Sequence, residues 1–230
     1  MPEIKTCYKV NNFEFDNMED AEKFNAIYNE FKNEEQLKQI YLGIKNKINY
    51  KIYAKPEFSS YKMELIRQGL EKDLDVNHYA KIKFSLMQMG EIYDGLEQGL
   101  NVSIYAKPEF KSGQMIQIRE GLKQGIDVSI YAKPEFNFFQ MEEIRMGLEN
   151  GFDVSLYEDP KFTATQMEEI RKGLEGNLDV SIYAKLEFNY LQMRQIRKGL
   201  ESNIDVSTYA NPDIDWKEME QIRLKLENEK

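Results

Sequence analysis

The chain has one histidine and one cysteine in 230 residues. That scarcity removes His/Cys metal cages, zinc ribbons and Cys–His nucleophiles together, because each needs several such side chains. Cys7 alone cannot close an internal disulfide, which points to a reducing, cytoplasmic setting. No apolar run exceeds three residues, so no segment reads as a membrane span. Residues 1–16 lack the basic-then-apolar pattern of a secretory leader. Basic side chains are in deficit: 31 Lys and Arg against 40 Asp and Glu leave a net charge of −9, the wrong sign for direct nucleic-acid binding. The remainder, 41% apolar and 31% charged, is ordinary foldable composition.

What is present is a period. Leu37, Met63, Met89, Met115, Met141, Met167, Met193 and Met219 fall 26 residues apart without an insertion, and an isoleucine follows each by three. Tyr53, Tyr79, Tyr105, Tyr131, Tyr157, Tyr183 and Tyr209 keep the same step. A fixed register of this kind is the signature of stacked repeats. Residues 33–230 are therefore expected to be a tandem array of eight units, the last one partial, and residues 1–32 a separate cap.

Each unit spells a long helix followed by a short one. In the copy at Asn137, Phe136, Asn137, Gln140 and Met141 occupy N′, N-cap, N3 and N4, a capping box with a hydrophobic staple. Ser59, Ser85, Thr163, Asn189 and Asp215 stand at the same start, while Lys62 at N3 and Lys111 at N-cap depart from it and predict weaker caps. Met141, Ile144 and Leu148 form one apolar stripe. Gly99, Gly125, Gly151, Asn177 and Asn203 sit where a left-handed residue stops the helix. After the stop, Asp153-Val154-Ser155-Leu156-Tyr157 predicts a second helix of barely two turns, ended by a proline linker; a strand in a β–α horseshoe is the alternative. The glycine inside each long helix, such as Gly147, predicts close approach of adjacent helices. The expected fold is mostly α, an α-solenoid of eight two-helix repeats. Ahead of it, Tyr8–Val10 and Phe13–Phe15 around Asn11-Asn12 spell a hairpin, and Asp16 with Glu19 caps a helix with an apolar face of Phe24, Ile27, Tyr28 and Phe31.

Arginine follows the repeat isoleucine in six units, the last at Arg223, and in the other five aspartate stands eight residues further on: Arg67 and Asp75, Arg119 and Asp127, Arg145 and Asp153, Arg171 and Asp179, Arg197 and Asp205. The two units with Tyr41 and Tyr93 in place of arginine carry Asn49 and Asn101 in place of aspartate. Joint loss predicts structural Arg–Asp pairs within a unit, rather than a groove for an acidic ligand. The carboxylates of Glu142-Glu143 and Glu168-Glu169 read as solvated helix faces, His78 as a surface or half-buried side chain, and Cys7 as a packing residue. No constellation predicts catalysis, a bound metal or a cofactor.

Framework positions hold their residue type because every unit must pack on the next. The first two positions of each long helix are free to vary, yet several are large and apolar: Tyr61, Leu86, Met87, Phe138, Phe139, Tyr190, Leu191 and Trp216. They form the candidate protein-binding edge; staggered packing of helix ends and self-association are the alternatives. A disturbance falls at 78–93, where Ile82 replaces proline, Gly90 enters the helix and Tyr93 replaces arginine.

The unit beginning Gln140-Met141 and running to Tyr157 resembles a 26-residue repeat of largely uncharacterised proteins of gut Firmicutes, their phages and mobile elements. That resemblance covers 33–230 and carries no catalytic residues. It implies a mobile-element setting. The function expected is a non-enzymatic protein-binding scaffold. One alternative is an anti-defence inhibitor, anti-CRISPR or antirestriction, that binds a host nuclease and blocks its nucleic-acid channel; another is sequestration of a small anionic ligand. The expected partner is a protein, with neither nucleic acid nor membrane bound directly and a homo-oligomer allowed.

Overall fold

A computed structural model describes residues 7–229; residues 1–6 of the expected cap, and Lys230, lie outside them. The hairpin is formed by β1 (Tyr8–Val10) and β2 (Phe13–Phe15), antiparallel with Tyr8 opposite Phe15. Asn11 takes a positive φ of 51° in the two-residue turn, as such hairpins require. Helix α1 (Met18–Tyr28) follows, and its N-cap is Asn17, whose side chain accepts from the Asp20 amide, rather than Asp16. Phe24 and Phe31 are buried, Ile27 and Tyr28 half-buried.

Eight further long helices follow among the described residues: α2 (Glu34–Lys45), α3 (Ser60–Glu71), α4 (Leu86–Glu97), α5 (Ser112–Lys123), α6 (Phe138–Glu149), α7 (Ala164–Glu175), α8 (Tyr190–Glu201) and α9 (Trp216–Asn228). The fold is mostly helical and repeats with the period of the sequence. Internal contacts group it into two units, Met1–Met115 and Ile116–Lys230. In the first, α1 packs on α2, α2 on α3 and α3 on α4; in the second, α6 packs on α7, α7 on α8 and α8 on α9. This sequential stacking is the solenoid mode, in which each repeat buries the face its neighbour leaves open.

The helix starts follow the sequence closely. Full capping boxes close α4, α6, α7 and α8 at Ser85, Asn137, Thr163 and Asn189. At α3 Ser59 caps alone, as the lysine at N3 predicted. The stops also follow: Gly99, Gly125, Gly151, Asn177 and Asn203 all have positive φ, and so do Lys47 and Asp73. Asp73, at φ 55°, holds a left-handed conformation that costs a residue with a Cβ roughly 1 kcal/mol. Asp73→Gly is therefore expected to stabilise by about 1 kcal/mol. A chemical-denaturation midpoint that stays put or falls would contradict the strain.

The second element of each repeat is shorter than expected. It is a single three-residue 3-10 turn, as at Val76–His78 and Val154–Leu156, and neither a two-turn helix nor a strand. Asp75 and Asp153 accept from the amide two residues on, an Asx turn that needs only one hydrogen bond to close. The linker beyond is likewise a turn, with the Phe58 amide donating to the Lys55 carbonyl at 3.0 Å.

Each turn exists to deliver a tyrosine. The seven repeat tyrosines are 0% exposed, and each hydroxyl donates to the carbonyl fourteen residues back on its own long helix, at 3.0–3.3 Å. The helix glycine makes room for it. A Cβ added at Gly147 would meet the Tyr157 hydroxyl at 1.9 Å, and the same distance recurs at Gly43, Gly69, Gly95, Gly121, Gly173 and Gly199. The close approach expected at the glycine is therefore made by the turn and tyrosine of its own repeat.

Candidate protein-binding edge

Glutamine at N3 builds one edge of each unit. Its Oε1 accepts from the N-cap amide, as from Asn137 to Gln140 at 2.8 Å. Its Nε2 donates forward to two carbonyls of the next linker, Gln140 to Pro160 at 3.0 Å and Phe162 at 2.6 Å. Gln36, Gln88 and Gln192 repeat the forward pair. Within each of the two compact units, helix starts and linkers are thereby locked into a row. Lys62 keeps the link by donating from Nζ to Ile82, at 3.2 Å, and to Phe84.

Onto that row the variable positions project. In the first unit Tyr61 is 68% exposed and Met87 74%, with Leu86 also exposed. In the second unit Phe139 is 58% exposed and Tyr190 exposed, while Phe138, Leu191 and Trp216 are half-buried. Phe138 and Phe139 lie with ring centroids 4.1 Å apart. Cations attend the rings: Arg194 lies 5.6 Å from the Tyr190 centroid and Lys217 5.6 Å from that of Trp216. Ile82 and Leu186 add exposed apolar surface at two linker positions where proline otherwise stands. The sequence marks Ile82 as a departure from proline without assigning it to the edge; an aliphatic residue in a solvent-facing turn is the available signal.

The arginines do not meet the aspartates eight residues on. Arg67 Nε donates to Gln39 Oε1 at 3.0 Å, Arg145 to Gln117 at 2.8 Å, and Arg171 and Arg197 to Glu143 and Glu169 at 2.7 and 2.9 Å. Each partner is 28 residues earlier, on the preceding long helix. The other end of each guanidinium meets a glutamate one turn on, Glu71, Glu149, Glu175 or Glu201. Arg119 meets Glu120 at 3.1 Å. Asp75, Asp127, Asp153, Asp179 and Asp205 instead cap their own 3-10 turns. Hydrogen bonds from Ser129, Ser155 and Ser207 hold the carboxyls of Asp127, Asp153 and Asp205 below their ordinary range. The sequence pattern nonetheless contains the true pairing. Where tyrosine replaces arginine at 41 and 93, the residues 28 earlier are Phe13 and Leu65, both apolar, and the Phe13 and Tyr41 rings lie 5.2 Å apart. Nothing in the structure explains asparagine at 49 and 101.

Of the expected surface carboxylates one is buried and another half-buried. Glu169 is 0% exposed and bridges Arg194 and Arg197 at 2.8 and 2.9 Å. Burial pushes the Glu143 carboxyl up from its ordinary value, against the pull of Arg171. Glutamine fills the same position at 39, 117 and 195, so these carboxylates are acceptors in a packed ladder of arginine bonds. Cys7 is exposed rather than packed, and His78 is half-buried, 3.6 Å from Asp75. Among the described residues no group of three or more His, Cys, Asp or Glu side chains is placed to hold a metal, and no helix is long and apolar enough to cross a membrane. What the edge can offer is apolar area framed by cations. No family model, curated protein or solved structure matches the chain.

Proposed function

We propose that the chain is a non-enzymatic scaffold that binds another protein through the N-terminal edge of its long helices. The observation that supports this most is the exposure of Tyr61, Met87 and Phe139 at positions released from packing. Large apolar side chains left in water cost solubility, and in protein interfaces such residues are the anchors. The array supplies its own controls, since Ser112-Gly113 stands where Phe138-Phe139 does one repeat later.

The test is a partner captured from host lysate, titrated against the native chain and against Phe138→Ser with Phe139→Gly. Affinity is expected to fall by about 2 kcal/mol, roughly thirtyfold, with the melting temperature nearly unchanged. Unchanged affinity with a large drop in melting temperature would place the pair in the packing of the repeat and remove the edge as an interface.

A further inference from the structure

The departures at 62 and 82–87 fall on one patch of the first unit. Lys62 stands where the framework has glutamine, Ile82 where it has proline, and Lys83 where Glu57, Glu109, Glu135 and Glu187 stand in other linkers, Lys161 being the other lysine at that position. Lys62 reaches the Ile82 carbonyl, so the start of α3, the 80–85 linker and the start of α4 are contiguous. The apolar members of the patch are all exposed: Tyr61, Ile82, Leu86 and Met87. Residues 80–88 contain two lysines and no acidic side chain, in a chain of net charge −9. Drift alone scatters substitutions over a repeat. Here two of them put lysine at a neutral or acidic position and the third puts a larger aliphatic side chain where proline stands, all at the same place.

We propose that this patch, Tyr61, Lys62, Ile82, Lys83, Leu86 and Met87, receives an acidic protein segment that carries apolar anchors. The inference rests on the scaffold reading above and gives its partner a chemistry. Lysines beside exposed apolar side chains complement carboxylates interleaved with Leu, Phe or Trp, the pairing that sets register and suppresses wrong partners. A bilayer or a nucleic acid presents its negative charge over a wide front. The remaining acidic side chains of the chain would oppose that approach, whereas a single segment is met within one Debye length, about 10 Å.

The probe is a phage-displayed library of random peptides, selected on the full chain. The expected result is enrichment of peptides rich in Asp and Glu together with large apolar residues. Their affinity should drop at least tenfold on Lys62→Gln with Ile82→Pro and Lys83→Glu, and should weaken with salt. All three replacements are residues the array itself uses at those positions, and circular dichroism confirms the fold; Lys83→Glu alone serves if the triple variant does not fold. Recovery of no binders or of neutral or basic peptides, or equal binding to the reverted chain, would overturn the proposal. So would co-sedimentation with phosphatidylserine vesicles that reversion abolishes, because the patch would then be a membrane contact. If a lysate partner still depends on Phe138 and Phe139 while the peptides fail, the scaffold stands and only the acidic segment falls.

Discussion

Gly147→Ala is expected to destabilise the protein by about 3 kcal/mol, the upper range for overpacking a core. In an exposed helix the same change would stabilise by about 1 kcal/mol, so the sign alone separates the two cases. The new methyl would sit 1.9 Å from the Tyr157 hydroxyl and 2.9 Å from Val154 Cγ1. Either the tyrosine withdraws, losing its bond to the Glu143 carbonyl, or the turn lifts from the helix. Tyr157→Phe removes the clashing oxygen at a cost of about 1 kcal/mol for the lost hydrogen bond. The double variant should therefore be less damaged than the sum of the two singles. The remaining ring carbon at 3.2 Å keeps that rescue partial. Urea unfolding of the four proteins checks the cycle, and strict additivity would refute the lock. In α9 the glycine position holds Lys225, so that helix cannot take a tyrosine in this way.

Alkaline pH is expected to unfold the chain in one steep step. Burial pushes the phenol of Tyr209 up to about 12 and those of Tyr53, Tyr79, Tyr131, Tyr157 and Tyr183 further still, from an ordinary value of 10.0. Below pH 10 the phenol keeps its proton in both states, and stability is unaffected. Above it the unfolded chain releases the proton while the folded chain retains it, so stability falls as pH rises toward the folded value. Each such tyrosine contributes about 1.4 kcal/mol per pH unit in that window, and six act together. Tyrosinate absorbance and far-ultraviolet circular dichroism, followed from pH 9 to 12, check this. The buried set should ionise only as the helices melt. Smooth ionisation of all 14 tyrosines with helix retained would show that the hydroxyls are not sealed.

The unit length, the helix starts, the left-handed stops and the recurrence of the tyrosine are legible in the sequence. All four depend on groups within a few residues of one another: Asn137 with Gln140, Gly151 after α6, Val154 before Tyr157. Local hydrogen bonding and apolar periodicity decide such features wherever the chain is placed. The 3-10 turn is one turn shorter than the sequence predicts because Val, Leu and Tyr are spaced alike in both helices, and only the closing bonds distinguish them.

Tertiary structure alone decided where the arginines point, what the glycines accommodate and which carboxylates are buried. Arg145 had two polar candidates, Asp153 on its own unit and Gln117 on the preceding helix, and composition does not rank them. The phase between stacked helices does, by setting Gln117 against Arg145 while Asp153 turns to its own amide. The same phase takes Glu169 out of water, although Glu142, Glu143 and Glu168 remain in contact with it. Sequence determines the repeat, because a repeat is local; packing determines the contacts between repeats, because the rotation of one helix against the next is a property of two elements and is written in neither one.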